Sequence, residues 1–237
     1  MPDRHPSVSS VRVLAFDTFG TVADWHTGVS CALAQVFPEL EASQVARDWR
    51  RTYAPILAEV EAGRRPWTLL DDLHGETLDR LLREKYAVSP TPEQIDAAVR
   101  SWHRLPGWPD ASEGLRRLKA KYTICALSNG NVALLTAMAK ASDFPWDFIG
   151  GSDLWRRYKP AAEVYLGLAR LMQVEPHEVM MVATHATDLA AARSVGLQTA
   201  YVSRPDEWGP EAKLEEPDPD DAFAVRGIDE LADRLGC

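Results

Sequence analysis

The chain has 237 residues, 46% of them hydrophobic and 26% charged, a balance that excludes disordered and collagen-like chains and favours one large unit or one unit with an insertion. Its 35 acidic and 26 basic residues give a net charge of -9, which disfavours a nucleic-acid partner because phosphate backbones are bound by clustered Lys and Arg. Three scattered cysteines and the lack of a long apolar run predict a soluble, cytoplasmic chain with no membrane partner and no disulfide framework.

Short apolar runs predict the strands of a sheet. The first run occupies residues 11–16, is broken only by Arg12 and ends at Asp17. Two strong and two weak runs follow downstream, at residues 122–127, 179–183, 199–202 and 222–225. Helical spacing of apolar residues lies between them, at residues 114–120, 132–141 and 161–172. Strands that alternate with helices predict crossover connections and a parallel sheet.

The segment from about residue 26 to residue 106 has a different pattern. It contains no convincing strand, and its leucines between Leu70 and Leu82 fall near helical spacing. Thr91 and Gln94 form a capping box with Pro92 at the first helical position, which predicts a helix start. We therefore expect an all-helical insert after the first strand.

Acidic residues are concentrated near the C-terminal end. Residues 206–221 contain eight carboxylates, one lysine at Lys213 and three prolines. Such a segment cannot bury much apolar surface, and prolines interrupt regular structure. It is predicted to be a solvated loop.

Polar side chains follow the predicted strands where each one ends. Asp17 and Thr21 follow the first strand, Ser128 and Asn129 follow the second, and two further residues complete the set, Lys159 and Asp188. In an open parallel sheet the ligand crevice lies outside the carboxyl ends of the strands, so we expect these side chains to meet there. A carboxylate kept ionised by a lysine, with donors on its second oxygen, suits covalent catalysis by Asp17.

These motifs resemble those of the haloacid dehalogenase superfamily. The resemblance is carried, in order, by Asp17-Thr18-Phe19-Gly20-Thr21, Leu127-Ser128-Asn129-Gly130, Tyr158-Lys159-Pro160 with Tyr165, and Asp188. Asp24-Trp25 and Trp49-Arg50 narrow the match to the 2-haloacid dehalogenases. The resemblance implies an α/β fold with a Rossmann-like parallel-sheet core, residues 1–25 and 107–237, and an all-helical cap domain inserted after the first strand, residues 26–106.

The resemblance implies hydrolysis without a metal or cofactor. Asp17 attacks C2 of a short (S)-2-haloacid and halide departs, after which water attacks the Asp17 ester and releases the (R)-2-hydroxy acid. Lys159 is implied to keep Asp17 ionised, and Asp188 to pair with Lys159 and position the water. Arg50 and Asn129 are implied to receive the departing halide, where charge-assisted donors are most effective.

Other residues are implied to support this chemistry. Thr21, Ser128 and the backbone near Thr18 orient Asp17 and the substrate carboxylate, and Tyr165 supports Lys159. Three aromatic residues are candidates for an apolar substrate pocket or, equally, for packing inside the insert, namely Trp25, Tyr53 and Trp67. A homodimer is expected by analogy with the family.

A magnesium-dependent phosphatase of the same superfamily is the alternative. Such phosphatases place a second Asp two positions after the nucleophile as a proton donor, and another Asp four positions before the last acid. This chain has Phe19 and Thr184 there. Because halide leaves as an anion without a proton whereas phosphate release needs a proton source and charge neutralisation, the sequence favours dehalogenation.

His185 and Ala186 depart from the pattern of the well-known dehalogenases. A histidine at this position resembles a subgroup associated with small substrates such as fluoroacetate, although that subgroup has Asn where this chain has Ala186. His185 is therefore a candidate substrate-binding residue, as a base or as a donor near the halide, or else an ordinary buried histidine. A protein that only binds ligand is a third hypothesis, disfavoured by the complete set of Asp17, Ser128, Lys159 and Asp188.

Overall fold

The computed structural model describes residues 10–211 and 215–237. Within these ranges six strands form one parallel sheet, and their bounds are β1 Val13–Phe16, β2 Thr123–Leu127, β3 Phe148–Gly150, β4 Val179–Ala183, β5 Gln198–Val202 and β6 Phe223–Val225. The strand order is β3-β2-β1-β4-β5-β6, so β1 lies at the centre of the sheet. The predicted α/β fold is confirmed, with β3 as a strand that no apolar run indicated.

Helices cover both faces of the sheet because its strands are apolar on both sides. Leu14 and Phe16 of β1 belong to one buried cluster, whereas Val13 and Ala15 belong to another on the opposite face. Alternation of side chains along a strand produces this division. Five helices flank the sheet in the described part of the chain, namely α5 Ala111–Lys119, α6 Val132–Ser142, α7 Ala162–Met172, α8 Ala186–Ser194 and α9 Ile228–Arg234.

The segment between β1 and β2 is helical, as predicted. Its helices are α1 Trp25–Val36, α2 Ala42–Glu61, α3 Leu70–Tyr86 and α4 Pro92–Val99, followed by a 3₁₀ helix at Arg100–Arg104. The capping box of Thr91 and Gln94 is present at the start of α4. Fully buried Trp49 and Trp102 pack edge to face at the centre of these helices, with ring centroids 5.6 Å apart. The assignment of residues 26–106 to a separate cap domain stays a prediction.

The acidic segment departs from its prediction. Glu207 is 5% exposed, and the side chain of Asp221 is 1% exposed and paired with Arg193. The prediction of a fully solvated loop is therefore wrong for these two carboxylates, which burial tolerates because each has charged or hydrogen-bonding partners. Residues 212–214, and with them Lys213, lie outside the described residues.

A search of the described residues for a membrane-crossing helix, one both long and apolar enough, finds no candidate.

Candidate active site

Asp17 stands at the carboxyl end of β1, in the middle of the sheet edge. The residue is 6% exposed, and its carboxylate accepts hydrogen bonds on both oxygens. Lys159 Nζ lies 2.9 Å from Oδ1, whereas Thr21 Oγ1 donates to Oδ2 at 3.0 Å. The ring of His185 also approaches Oδ2, with Nδ1 at 3.2 Å. The carboxylate is therefore fixed in orientation and surrounded by donors.

Lys159 joins the two buried acids of the site. Its ammonium group contacts Asp17 on one side and Asp188 Oδ2 on the other. Tyr165, from α7, donates its hydroxyl to Asp188 Oδ1 at 2.6 Å and so holds the second carboxylate in place. Asp17, Lys159 and Asp188 thus lie together, as the residues that follow the strands predicted, and Tyr165, which only the family resemblance indicated, joins them through Asp188.

The charges of this cluster depend on one another. Burial by itself raises the pKa of Asp17, but the charges of Lys159 and His185 outweigh it and hold that pKa well below its usual range. Burial lowers the pKa of Lys159, but Asp17 and Asp188 raise it by more. The net pKa lies above its ordinary value, so the ammonium stays charged. The pKa of Asp188 is raised by burial, with Lys159 opposing and Asp17 adding to the rise. The cluster thus favours an ionised Asp17, the form that can act as a nucleophile.

The loops that follow β1, β2 and β4 are tied together beneath this cluster. The hydroxyls of Thr18 and Ser128 lie 2.6 Å apart, and Thr21 Oγ1 accepts the backbone N–H of Thr184 at 3.0 Å. Asn129 Oδ1 accepts the backbone N–H of Lys159 at 2.6 Å. These bonds position the loops that carry the acids and the cation, which agrees with the orienting role expected for Thr18, Thr21 and Ser128. Asn129 lines the cavity, but its side chain is also bonded to the backbone of Lys159, a contact that its expected role as a halide receptor did not include.

Arg50 enters the site from α2 and is surrounded by aromatic rings. Its guanidinium carbon lies 4.2 Å from the Tyr53 ring centroid and 5.5 Å from that of Trp25, with two more rings within about 6 Å, those of Phe19 and Trp102. Nη1 is buried and has no hydrogen-bond partner among the described residues. Because leaving a buried donor without an acceptor is costly, Nη1 is suited to receive an anion.

A cavity of about 630 Å³ connects Arg50 with the acids. Its polar lining includes Asp17, Arg50, Asn129, Lys159, Tyr165, His185 and Asp188. Its apolar wall is formed by Ala54, Leu57 and Ala58 of α2 and by Ala62, which follows the end of that helix. Tyr53 also lines it, as predicted. Trp25 and Trp67 do not: Trp25 is fully buried against Trp102 and Trp208, and the Trp67 ring centroid lies 5.0 Å from the guanidinium carbon of Arg156. Of the two roles that the sequence left open for Trp25 and Trp67, packing is the one that fits.

His185 and Glu207 form a hydrogen-bonded pair, of which the sequence predicted only His185 as a site residue. Glu207 Oε1 lies 3.0 Å from His185 Nε2 and accepts a hydrogen bond from Trp25 Nε1 at 2.9 Å. Burial lowers the pKa of His185, but Glu207 and Asp17 raise it to about 10. Glu207 was not predicted, since it lies in an acidic run whose composition indicated solvent. His185 lines the cavity and contacts the nucleophile directly.

Known proteins with similar sequences and structures identify the family. A model of the haloacid dehalogenase-like hydrolases matches residues 11–196. The chain is 32% identical over 207 residues to (S)-2-haloacid dehalogenase 4A of Burkholderia cepacia. The alignment covers 83% of this chain and 85% of that protein. The chain belongs to the haloacid dehalogenase-like hydrolase family.

Two solved structures of 2-haloacid dehalogenases resemble this family member along nearly its whole length. A defluorinating L-2-haloacid dehalogenase is 40% identical, with a TM-score of 0.93 over 100% of both chains. A second L-2-haloacid dehalogenase is 37% identical, with a TM-score of 0.91 over 95% of this chain and 99% of the other. The superfamily resemblance given by the sequence motifs is thereby confirmed.

Two positions in this haloacid dehalogenase-like hydrolase bear on metal binding. Phe19 packs against Trp102 with ring centroids 5.3 Å apart, and the backbone N–H of Thr184 donates a hydrogen bond to Thr21 Oγ1. Neither supplies a carboxylate oxygen, the ligand that Mg²⁺ prefers. Within residues 10–211 and 215–237, no group of three or more His, Cys, Asp or Glu side chains is arranged to hold a metal ion.

Proposed function

We propose that this protein hydrolyses short (S)-2-haloacids to (R)-2-hydroxy acids through an ester on Asp17, without a metal, and that fluoroacetate is among its substrates. One observation carries the proposal: a buried Asp17 whose pKa is held low lines the same cavity as a buried guanidinium with an unpartnered nitrogen. A nucleophile and an anion receptor in one cavity suit a displacement in which the leaving group departs as an anion.

The first step is displacement at C2. An oxygen of Asp17 forms a bond to C2 while the carbon–halogen bond breaks and the halide takes the electron pair. Arg50 and Asn129 both line the cavity and receive the halide. The aromatic rings around Arg50 exclude water, which strengthens its attraction for the developing charge.

The second step is hydrolysis of the Asp17 ester. Water adds to Cγ of Asp17 and gives a proton to Asp188, whose pKa is raised by burial. When the bond to the substrate oxygen breaks, Asp188 returns that proton to the product hydroxyl, and Asp17 loses its own proton to solvent. Tyr165 and Lys159 hold Asp188 in position for both transfers.

The composition of the site disfavours the phosphatase alternative. Phosphoryl transfer needs a proton donor for the leaving oxygen and neutralisation of charge on the phosphate. Phe19 provides no proton, and Thr184 provides no carboxylate for a cation. Names of similar proteins agree with dehalogenation, including the word "defluorinating" for one of them.

Halide release tests the proposed function. Each enantiomer of 2-chloropropionate, and fluoroacetate separately, is incubated with enzyme in buffer that contains a chelator, with Asp17→Asn as the control. We expect halide from the (S) enantiomer and from fluoroacetate, and none from the variant. Release from the (R) enantiomer alone, or activity that survives in Asp17→Asn, would contradict the mechanism.

Two further features belong to the proposal. We expect the helices of residues 26–106 to act as a cap that carries Arg50 over the core, and the protein to work as a homodimer in the cytoplasm. Free Cys31, Cys125 and Cys237 are compatible with a reducing compartment. Light scattering coupled to gel filtration measures the mass of the assembly, and a monomeric mass would contradict the dimer.

A further inference from the structure

The ring of His185 lies between two carboxylates. Nδ1 is 3.2 Å from Asp17 Oδ2, and Nε2 is 3.0 Å from Glu207 Oε1. Ionised carboxylates only accept hydrogen bonds, so both ring nitrogens must carry a proton for both contacts to be hydrogen bonds. The geometry therefore requires an imidazolium in the free enzyme.

We propose that Glu207 is a positioning residue that keeps His185 doubly protonated, so that His185 Nδ1–H and the Thr21 hydroxyl stabilise the oxyanion on Asp17 Oδ2 during ester hydrolysis. This inference rests on the proposed function, since it needs the ester on Asp17. It assigns a role to Glu207 and a specific step to His185.

The contacts of the two Asp17 oxygens indicate which of them attacks. Oδ2 accepts from Thr21 and His185, whereas Oδ1 accepts from Lys159. The less encumbered Oδ1 forms the bond to C2, and Oδ2 becomes the carbonyl oxygen of the ester. When water adds to Cγ, the π electrons move onto Oδ2, where two donors already stand. When the Cγ–Oδ1 bond breaks, the electron pair on Oδ2 re-forms the Cγ=Oδ2 double bond, and Oδ1 leaves with the product and takes the proton that Asp188 returns.

Esterification changes the balance of charge around His185. The free enzyme presents two anionic partners to the ring, but the ester removes the charge of Asp17 and leaves Glu207. Other charged groups line the same cavity or adjoin the ring's loop, namely Arg50, Arg51, Glu61, Lys159, Asp188 and Glu215. Glu207 is thus the anion in direct contact that holds the proton on His185 while water attacks.

Glu207 is itself built into the site. Trp25 donates to its Oε1 at 2.9 Å, and the carboxylate is 5% exposed. Gly20 has a φ of +89°, and a Cβ at this position would overlap the Glu207 carboxyl group. Burial raises the pKa of Glu207, but His185 outweighs that effect and lowers it. A buried acid with this support stays ionised across the neutral range.

The test compares Glu207→Gln with Asp206→Asn, its exposed neighbour. Turnover of (S)-2-chloropropionate is measured against pH, and the peptide that contains Asp17 is weighed by mass spectrometry during turnover. Glu207→Gln should shift the alkaline limb of kcat downward by about 1–3 pH units, the size expected when an adjacent opposite charge is lost. Above that limb, chloride release should show a burst of about one equivalent followed by slow turnover, as the ester accumulates.

The possible outcomes separate this inference from the proposed function. An unshifted limb without ester accumulation in Glu207→Gln would overturn the role of Glu207 while leaving dehalogenation intact. A matching shift in Asp206→Asn would also overturn it, because a general change in charge would then suffice. A wild-type enzyme that releases no chloride and forms no adduct would overturn both.

A measurement on the wild-type protein keeps the inference testable if Glu207→Gln fails to fold. Nitrogen-15 spectra of labelled histidine distinguish an imidazolium from a neutral ring, and His185→Asn assigns the signal among the six histidines. At about pH 8, above the ordinary histidine pKa of about 6.5, both ring nitrogens of His185 should still be protonated. A neutral tautomer at that pH would overturn the inference.

Discussion

Replacing Lys159 with Met removes the cation that two buried acids share. Lys159 Nζ lies 2.9 Å from Asp17 Oδ1 and also contacts Asp188, and all three residues are under 10% exposed. Methionine fills a similar volume without charge. Lys159→Met therefore leaves two buried carboxylates facing each other, which is the arrangement that most strongly favours taking up a proton.

The free energy of unfolding should fall by about 3–5 kcal/mol near neutral pH, the cost of leaving a buried charge without its partner. In the wild type the pKa of Asp17 is lowered, so its stabilising contribution is present above the ordinary value and is lost below about pH 4. In the variant the pKa is raised instead, so the penalty grows with pH and is relieved as the pH falls. The stability gap should therefore be larger at about pH 8 than at about pH 5.

Activity should follow the opposite trend. Without Lys159, burial and the neighbouring Asp188 raise the pKa of Asp17, and only His185 and Thr21 remain to oppose that rise, so a smaller fraction of Asp17 is ionised near neutral pH. Each unit by which the pKa exceeds the assay pH costs about tenfold in ionised nucleophile, so halide release should drop about 10- to 100-fold or more. The residual rate should rise as the pH is raised.

Urea unfolding and halide release across pH test these two trends together. Lys119→Met is the matched control, because Lys119 forms a half-exposed ion pair with Asp147 and should change stability by at most about 1 kcal/mol. A stability gap that does not vary with pH, or a Lys159→Met enzyme with wild-type turnover at neutral pH, would refute the role assigned to this lysine.

Three other substitutions give distinct results. Arg50→Met should lower kcat about 10²- to 10³-fold while changing the melting temperature little, because methionine still packs against the surrounding rings and Nη1 has no hydrogen bond to lose; a wild-type kcat would contradict halide capture there. Thr21→Val should lower the free energy of unfolding by about 1–3 kcal/mol, since the Thr184 N–H loses its acceptor, and should slow turnover. Gly20→Ala should destabilise by about 1–3 kcal/mol through its positive φ, measured by urea unfolding, and should displace Glu207; unchanged stability would contradict that reasoning.

The central strands were predictable because strands that are buried on both faces consist of consecutive apolar residues. β1 and β4 are fully buried and apolar, so their runs stand out against polar neighbours. β3 has three residues, two of them half-buried, and exists because it pairs with β2. A pairing with a distant segment has no local signature, which explains why this strand was not predicted.

The site residues were predictable where a polar or charged residue follows the end of a strand. Asp17, Lys159 and Asp188 could be placed together because parallel strands end at one edge of the sheet. Glu207 could not be placed, because its acidic neighbours indicate solvent while its partner Trp25 lies 182 residues away in sequence. The setting of Arg50 was equally hidden, since rings from separate segments surround it.

Arg50 and most of the apolar wall come from α2, whereas Asp17, Lys159 and Asp188 come from the sheet edge and adjoining loops. The proposed halide receptor and most of the apolar lining are thus encoded in one uninterrupted stretch of chain. Exchanging that stretch between relatives is a way to alter which halides and which chain lengths are accepted without disturbing the nucleophile. The range of substrates can therefore change through one helix while the nucleophile and the groups that hold it stay as they are.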